Sequence, residues 1–211
     1  MIGPLMAALL AIPSPGVAGM ARLVAMGRDG LHVTEGRLGE GQRLQVDAPK
    51  FRAVAPTADG SRAELRFTYL GRTGEAMPLR SGELREQLGL KLRAADGCNV
   101  LYAMWRVAPR PGVVVSLKRN PGQHRSDDCT NEGYQNLRPD RAAAVPPLRP
   151  GSAHVLAATL ARERLEVRVD REVVWEGPLP REALELRGPA GLRSDNVRFE
   201  FELAVDAAEP R

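Results

Sequence analysis

Between Ala63 and Tyr69 every second side chain is apolar: Ala63, Leu65, Phe67 and Tyr69 alternate with Glu64, Arg66 and Thr68. A strand repeats every two residues and a helix every 3.6, so this spacing gathers the apolar groups on one face only in an extended chain. The pattern recurs. Leu90 and Leu92 alternate with Lys91 and Arg93. Leu101, Ala103, Trp105 and Val107 alternate with Tyr102, Met104 and Arg106, and Val113, Val115 and Leu117 with Val114, Ser116 and Lys118. Further on, Val155 to Leu160 reads as a strand and Leu165-Glu-Val-Arg-Val169 as another. Asp170-Arg171 makes a tight turn, and Val173-Val-Trp175 returns as the hairpin partner. Gly188-Pro-Ala-Gly191 reads as a turn, and Val197, Phe199, Phe201 and Leu203 close the series, with Arg198, Glu200 and Glu202 on the opposite face. Short alternating runs separated by Gly and Pro turns predict an all-β fold, an antiparallel β-sandwich. Helix is confined to a short stretch near 81–88 or 181–186.

The organisation follows from where this pattern starts and stops. Residues 44–205 form one sandwich domain, with no internal repeat and no second boundary. Residues 20–43 are Gly-rich and weakly patterned, and 206–211 read as a tail. Met1 to Ala11 is uncharged and apolar, a Pro-Ser-Pro-Gly break follows, and small residues stand at Val17-Ala18-Gly19. That layout predicts a cleaved export leader over 1–19, although no Lys or Arg precedes the apolar run. The run is too short to span a bilayer, and no later segment is long enough. The expected location is therefore secreted or periplasmic.

Composition narrows the function classes. Thirty basic residues against 26 acidic leave a net charge of +4. Lys occurs only at Lys50, Lys91 and Lys118, as in chains from GC-rich genomes. The Arg residues are interleaved with acids, as in Arg162-Glu-Arg164 and Arg168-Val-Asp-Arg-Glu172, which is the signature of a solvated face and not of a nucleic-acid stripe. Aromatic residues are 4% of the chain, so each Trp and Phe is expected to anchor the core. The two cysteines lie in polar settings, Asp96-Gly-Cys98-Asn99 and Asp127-Asp-Cys129-Thr130. In an exported chain such a pair reads as a Cys98–Cys129 disulfide.

The C-terminal third also carries a resemblance. His154-Val155 on a strand, Val169-Asp170 at a hairpin turn, the exit Trp175-Glu-Gly177, and Gly188-Pro-Ala-Gly-Leu-Arg-Ser-Asp-Asn-Val-Arg-Phe-Glu-Phe201 resemble the end of concanavalin-A-like (laminin-G-like) jelly rolls. The resemblance covers about the last fifty residues and implies a jelly roll. The superfamily includes lectins, glucanases and polysaccharide lyases, so it does not choose an activity. Its retaining glucanases carry a Glu-x-Asp-x-Glu strand that sets two carboxylates on one face. This chain has none. Glu166 to Glu172 spaces its acids differently and runs into a turn, and Glu200 and Glu202 share a face without a third acid.

Two places can carry chemistry. The polar face of the central strands offers Lys91, Arg93, Tyr102, Met104, Arg106, Ser116 and Lys118. In a jelly roll this is the sugar-binding face, where Arg suits carboxylate or sulfate and Tyr offers a ring for stacking. The ordinary alternative is a solvated sheet face. The long polar stretch from Arg119 to Leu137 carries Cys129, His124 and Tyr134, and a long loop held by a disulfide is often functional. Asp127, Asp128, Asn131 and Glu132 are oxygen donors without a calcium spacing. The sequence calls for no cofactor and no metal. The candidate ligand-binding residues are Lys91, Arg93, Tyr102, Arg106, Lys118, His124 and Tyr134. The expected partner is a polysaccharide or another extracytoplasmic ligand, and the oligomeric state stays open. The absent acid set favours binding, or a purely structural envelope role, over catalysis. An enzyme of lyase or atypical hydrolase type would require Arg106, Lys118, His124 and Tyr134 to converge in one cleft.

Overall fold

A computed structural model of the chain describes residues 22–207; the expected leader over 1–19 and the end of the expected tail lie outside the described residues. The alternating runs become strands, and the strands form two antiparallel sheets packed face to face. The first holds seven strands in the order β2 (His32–Glu35), β4 (Lys50–Val54), β14 (Gly191–Asp195), β6 (Glu86–Leu92), β7 (Val100–Ala108), β8 (Gly112–Lys118) and β9 (Tyr134–Asn136). The second holds eight. β1 (Leu23–Met26) and β3 (Leu44–Asp47) both line β15 (Val197–Ala207), followed by β5 (Ala58–Arg72), β11 (Ala153–Ala161), β12 (Arg164–Val169), β13 (Glu172–Pro178) and β10 (Arg141–Ala142). Among the described residues the α-helix is limited to two single turns, α1 (Ser126–Cys129) and α2 (Arg181–Leu184).

The core lies between the sheets and is built from the apolar half of each alternation. Leu88, Leu90, Leu101, Trp105 and Leu192 from the seven-stranded sheet meet Leu65, Phe67, Leu156, Leu165, Phe199 and Leu203 from the eight-stranded one. Each fully buried Leu among them contributes about 1.5–3 kcal/mol. Phe67 meets Trp105 edge to face at 5.7 Å, the arrangement the ring quadrupoles favour. At the hairpin, Val169 pairs with Glu172, and Asp170 and Arg171 both take left-handed φ, 49° and 77°. This is the tight turn read from the sequence.

Four local expectations change. Residues 81–88 hold no helix: Glu86 to Leu88 belong to β6, because Leu88, Leu90 and Leu92 continue the core alternation and β14 and β7 supply hydrogen-bonding partners on both sides. The weakly patterned segment 20–43 carries β1 and β2, strands of four residues each, too short to show a period and ordered by pairing with β15 and β4. Gly191, read as part of a turn, starts β14. Asp206, read as tail, lies in β15, where its carboxylate accepts a hydrogen bond from the Ser61 amide at 3.2 Å.

Candidate functional site

Strand register builds the site. On the side of the seven-stranded sheet away from the core, antiparallel pairing lays out three rows. Gly191, Lys91, Tyr102 and Ser116 form one row, and Arg52, Arg193, Gly89 and Met104 the next. Lys50, Asp195, Gln87 and Arg106 form the third. Loop residues from 79–85, 94–97 and 124–131 raise walls around them, giving a groove of about 880 Å³. Gly89 and Gly191 must be glycine, because a Cβ at either would run into the backbone of the neighbouring strand, at Ala103 O and Ala53 O respectively. The floor therefore lacks a side chain beside Lys91 and beside Arg193, which leaves both heads room to extend along it.

A buried charge network holds the centre. Asp195 is 0% exposed and Arg193 7%. Arg193 Nε donates to Asp195 Oδ2 at 2.9 Å, Gln87 Nε2 donates to the same oxygen at 2.7 Å, and Arg52 Nη2 donates to Oδ1 at 3.2 Å. Arg52 Nη1 forms an ion pair with Glu35 at 2.8 Å. Burial alone would raise the Asp195 carboxyl, but the charges of Arg193 and Arg52 and the Gln87 hydrogen bond outweigh it and hold the group below its usual range. The free end of Arg193 continues across the floor. Its guanidinium lies 5.0 Å over the Tyr102 ring, and Nη1 donates to the Tyr134 hydroxyl at 2.9 Å.

The two tyrosines behave differently. They stack, with ring centroids 6.2 Å apart and planes 21° from parallel. Burial pushes the Tyr102 phenol up to about 12. Burial would raise Tyr134 as well, but Arg193, Lys118 and the hydrogen bond from Arg193 outweigh it and lower this phenol. Tyr134 is 40% exposed and presents its ring to the groove.

The rim is the long polar stretch, and the disulfide holds it. Cys98 and Cys129 are bonded and fully buried, with Cα atoms 5.8 Å apart. Lys118 repeats that clamp without a covalent bond. Its Nζ donates to Gly97 O at 3.3 Å and to Thr130 O at 3.0 Å, each the neighbour of one cysteine, and lies 5.2 Å from the Tyr134 ring centre. Asn120 Nδ2 donates to Cys98 O and Glu132 O. His124 Nδ1 is hydrogen-bonded to Asp96 Oδ2 at 2.7 Å, and Asp127 pairs with Arg80. The oxygen donors considered for calcium thus include one already committed to a guanidinium.

Of the residues singled out from the sequence, Lys91, Tyr102, Arg106, Lys118, His124 and Tyr134 line this one groove, with Met104 and Ser116. Arg93 does not. β6 ends at Leu92, Arg93 turns left-handed at φ 46°, and its guanidinium leaves to donate to Leu184 O at the end of α2. Arg52, Gln87, Arg193 and Asp195 were not singled out. A signal existed for two of them: in Gly191-Leu-Arg-Ser-Asp195 the polar residues alternate with Leu192 and Ser194, so Arg193 and Asp195 share a face.

No protein-family model matches the sequence, and no curated protein matches it. Solved structures do. The carbohydrate-binding module CBM66 from Bacillus subtilis aligns over 85% of this chain and 96% of its own, at 13% identity and a TM-score of 0.59. The fold is the concanavalin-A-like jelly roll. The metal-free carbohydrate recognition domain of Emp46p shares it over 85% of this chain and 89% of its own, at 11% identity and a TM-score of 0.54. So does the apo Crh5 transglycosylase, over 92% and 87%, at 13% identity and a TM-score of 0.51. Binding domains and an enzyme stand side by side among these jelly rolls, so function has to be argued from the groove.

Proposed function

We propose that this jelly roll is an exported glycan-binding module that holds its ligand in the groove of the seven-stranded sheet without transforming it. The observation that carries the reading is the Arg193 network. It sets planar hydrogen-bonding groups and the exposed Tyr134 ring, backed by the buried Tyr102, in one fixed arrangement, in a groove large enough for several sugar rings. Sugars present hydroxyls to such groups and C–H faces to such rings, and a prearranged site reduces the ordering cost of binding. The groove carboxylates favour binding over hydrolysis. Asp195 is engaged by Arg193, Arg52 and Gln87, Glu35 by Arg52, Asp96 by His124 and Asp127 by Arg80. Glu200 and Glu202 belong to β15 in the other sheet. Export is supported by the disulfide, and among the described residues no helix is long and apolar enough to cross a membrane.

A second reading has its own observation. Arg106, Lys118, His124 and Tyr134 do line one groove, and the Tyr134 phenol is lowered by cations on both sides. A base of that kind suits removal of the proton α to a uronate carboxylate, with departure of the sugar oxygen at the β position. An array of neutral and acidic polysaccharides, read for retention and for the absorbance of unsaturated products, separates the readings. Retention without absorbance is expected. Absorbance would replace binding with β-elimination, and silence on both counts would leave a structural envelope domain. Intact-mass measurement of the native protein tests export: cleavage near Gly19 is expected, and a retained Met1 would count against it.

A further inference from the structure

We infer that Lys91 is the seat of an anionic group of the ligand, a carboxylate or a sulfate, so that the groove selects acidic over neutral glycans. The identity of the ligand as a glycan rests on the reading above; the anion seat rests on Lys91 itself. Lys91 is 5% exposed, lines the groove, and makes no hydrogen bond or ion pair among the described residues. The other buried cations of the floor are engaged, Arg193 with Asp195 and Tyr134, Lys118 with two backbone carbonyls. The groups facing Lys91 are Arg193 on β14, Arg52 on β4 and Tyr102 on β7, with the acids Asp96 in the following loop and Glu35 on β2. The two arginines repel it. Both acids are committed elsewhere, Glu35 to Arg52 and Asp96 to His124 and to the side chain and amide of Asn99.

A buried ammonium without a counter-ion is among the costliest groups a protein can hold, and a Met or Leu of similar length would be more stable there. Burial and the neighbouring arginines draw the Lys91 ammonium down to about 8, so below neutral pH it carries its proton into the groove unpaired. An anion placed against it meets the one cation of this network that Asp195 and Glu35 do not compensate, with charge-assisted hydrogen bonds available from Nζ. The absence of side chains at Gly89 and Gly191 keeps the approach along the floor open.

The test uses galacturonan, alginate, hyaluronan and heparan sulfate fragments, each beside its carboxyl-reduced or desulfated form, and millimolar sodium sulfate against chloride at equal ionic strength. Wild type and Lys91→Met are compared at pH 6.5. At least one acidic glycan is expected to bind wild type roughly tenfold or more tighter than its neutral form. Lys91→Met is expected to lose that preference while melting at a higher temperature. A mutation-free readout accompanies it: acetylation of Lys91, followed by mass spectrometry, slows when the acidic glycan is bound. Equal binding of acidic and neutral forms, or a preference that survives in Lys91→Met, overturns the seat and leaves glycan binding standing. Lys91-dependent binding of sulfate with no binding of any glycan keeps the seat and overturns the glycan reading. No binding of any probe overturns both.

Discussion

On the eight-stranded sheet, Arg66 pairs with Glu64 at 2.7 Å and Arg168 with Glu166 at 2.7 Å, with both arginines exposed and both glutamates partly so. On the groove face of the seven-stranded sheet, Arg193 and Asp195 meet at 2.9 Å and are almost dry. Each pair sets an arginine against a carboxylate two residues away, at nearly the same distance. Water makes the difference. A solvated pair is screened and must hold two long side chains still, so its net worth is small. A desolvated pair is costly to assemble and costlier to break, because either partner alone is a buried charge. In the depression on the eight-stranded sheet, about 740 Å³, the Arg43–Glu200 pair also reaches water, and His154 is paired with Asp170. The groove is where charge is concentrated, fixed and, at Lys91, left unpaired.

Breaking the dry network gives the largest expected effect. Asp195→Ala leaves Arg193, Arg52 and Gln87 facing one another and should destabilise by about 3–5 kcal/mol in urea unfolding. A loss near zero would mean that water enters the network freely. The disulfide comes next. Replacing Cys98 and Cys129 with Ser should cost about 3–4 kcal/mol for a loop of this length, and should weaken ligand binding as well, since Lys118 and Tyr134 sit on the segments it joins. Unchanged binding in a folded double variant would separate the rim from the site.

Lys91 gives an effect of opposite sign. Its folded value is about 8 against the ordinary 10.5. Below pH 8 both folded and unfolded chains carry the proton, and the burial penalty is fully present. Between 8 and 10.5 only the unfolded chain binds it, so this residue adds stability as pH rises, by about 3 kcal/mol over the window. Lys91→Met should be more stable than wild type at pH 7 by a similar amount, and that advantage should shrink as pH approaches 10. A variant less stable than wild type at pH 7 would contradict the unpaired ammonium. The smallest effect is on the wetted side: Arg66→Ala should change stability by less than about 1 kcal/mol and leave ligand binding untouched. A larger loss there would erase the contrast between the faces.

Much of this was legible in the sequence where the two strand faces differ in polarity. β7 and β15 announce themselves because Leu101, Ala103 and Trp105, or Phe199, Phe201 and Leu203, alternate with polar neighbours. The same alternation puts Tyr102, Arg106, Ser116 and Lys118 on the polar side of their strands without any reference to pairing. β14 hid for the opposite reason. All five of its residues are buried, on the core side by Leu192 and Ser194 and on the groove side by Gly191, Arg193 and Asp195. A strand that carries a polar site on one side and a Ser on the other has no apolar stripe, and its flanking glycines read as a turn. Arg52 and Gln87 were hidden because their importance lies in cross-strand register, which a single strand does not encode. Tyr134 looked like a loop residue because β9 is three residues long and is ordered by pairing with β8.

The most direct measurement is amide and side-chain NMR of the labelled protein on addition of the acidic glycan that binds best. Shift changes should gather on Lys91, Tyr102, Lys118, Tyr134 and Arg193, with the Lys91 Nζ resonance moving most, and Arg66 and Thr68 on β5 should stay still. Changes gathered on β5, β11 and β15, with the groove unmoved, would contradict the account.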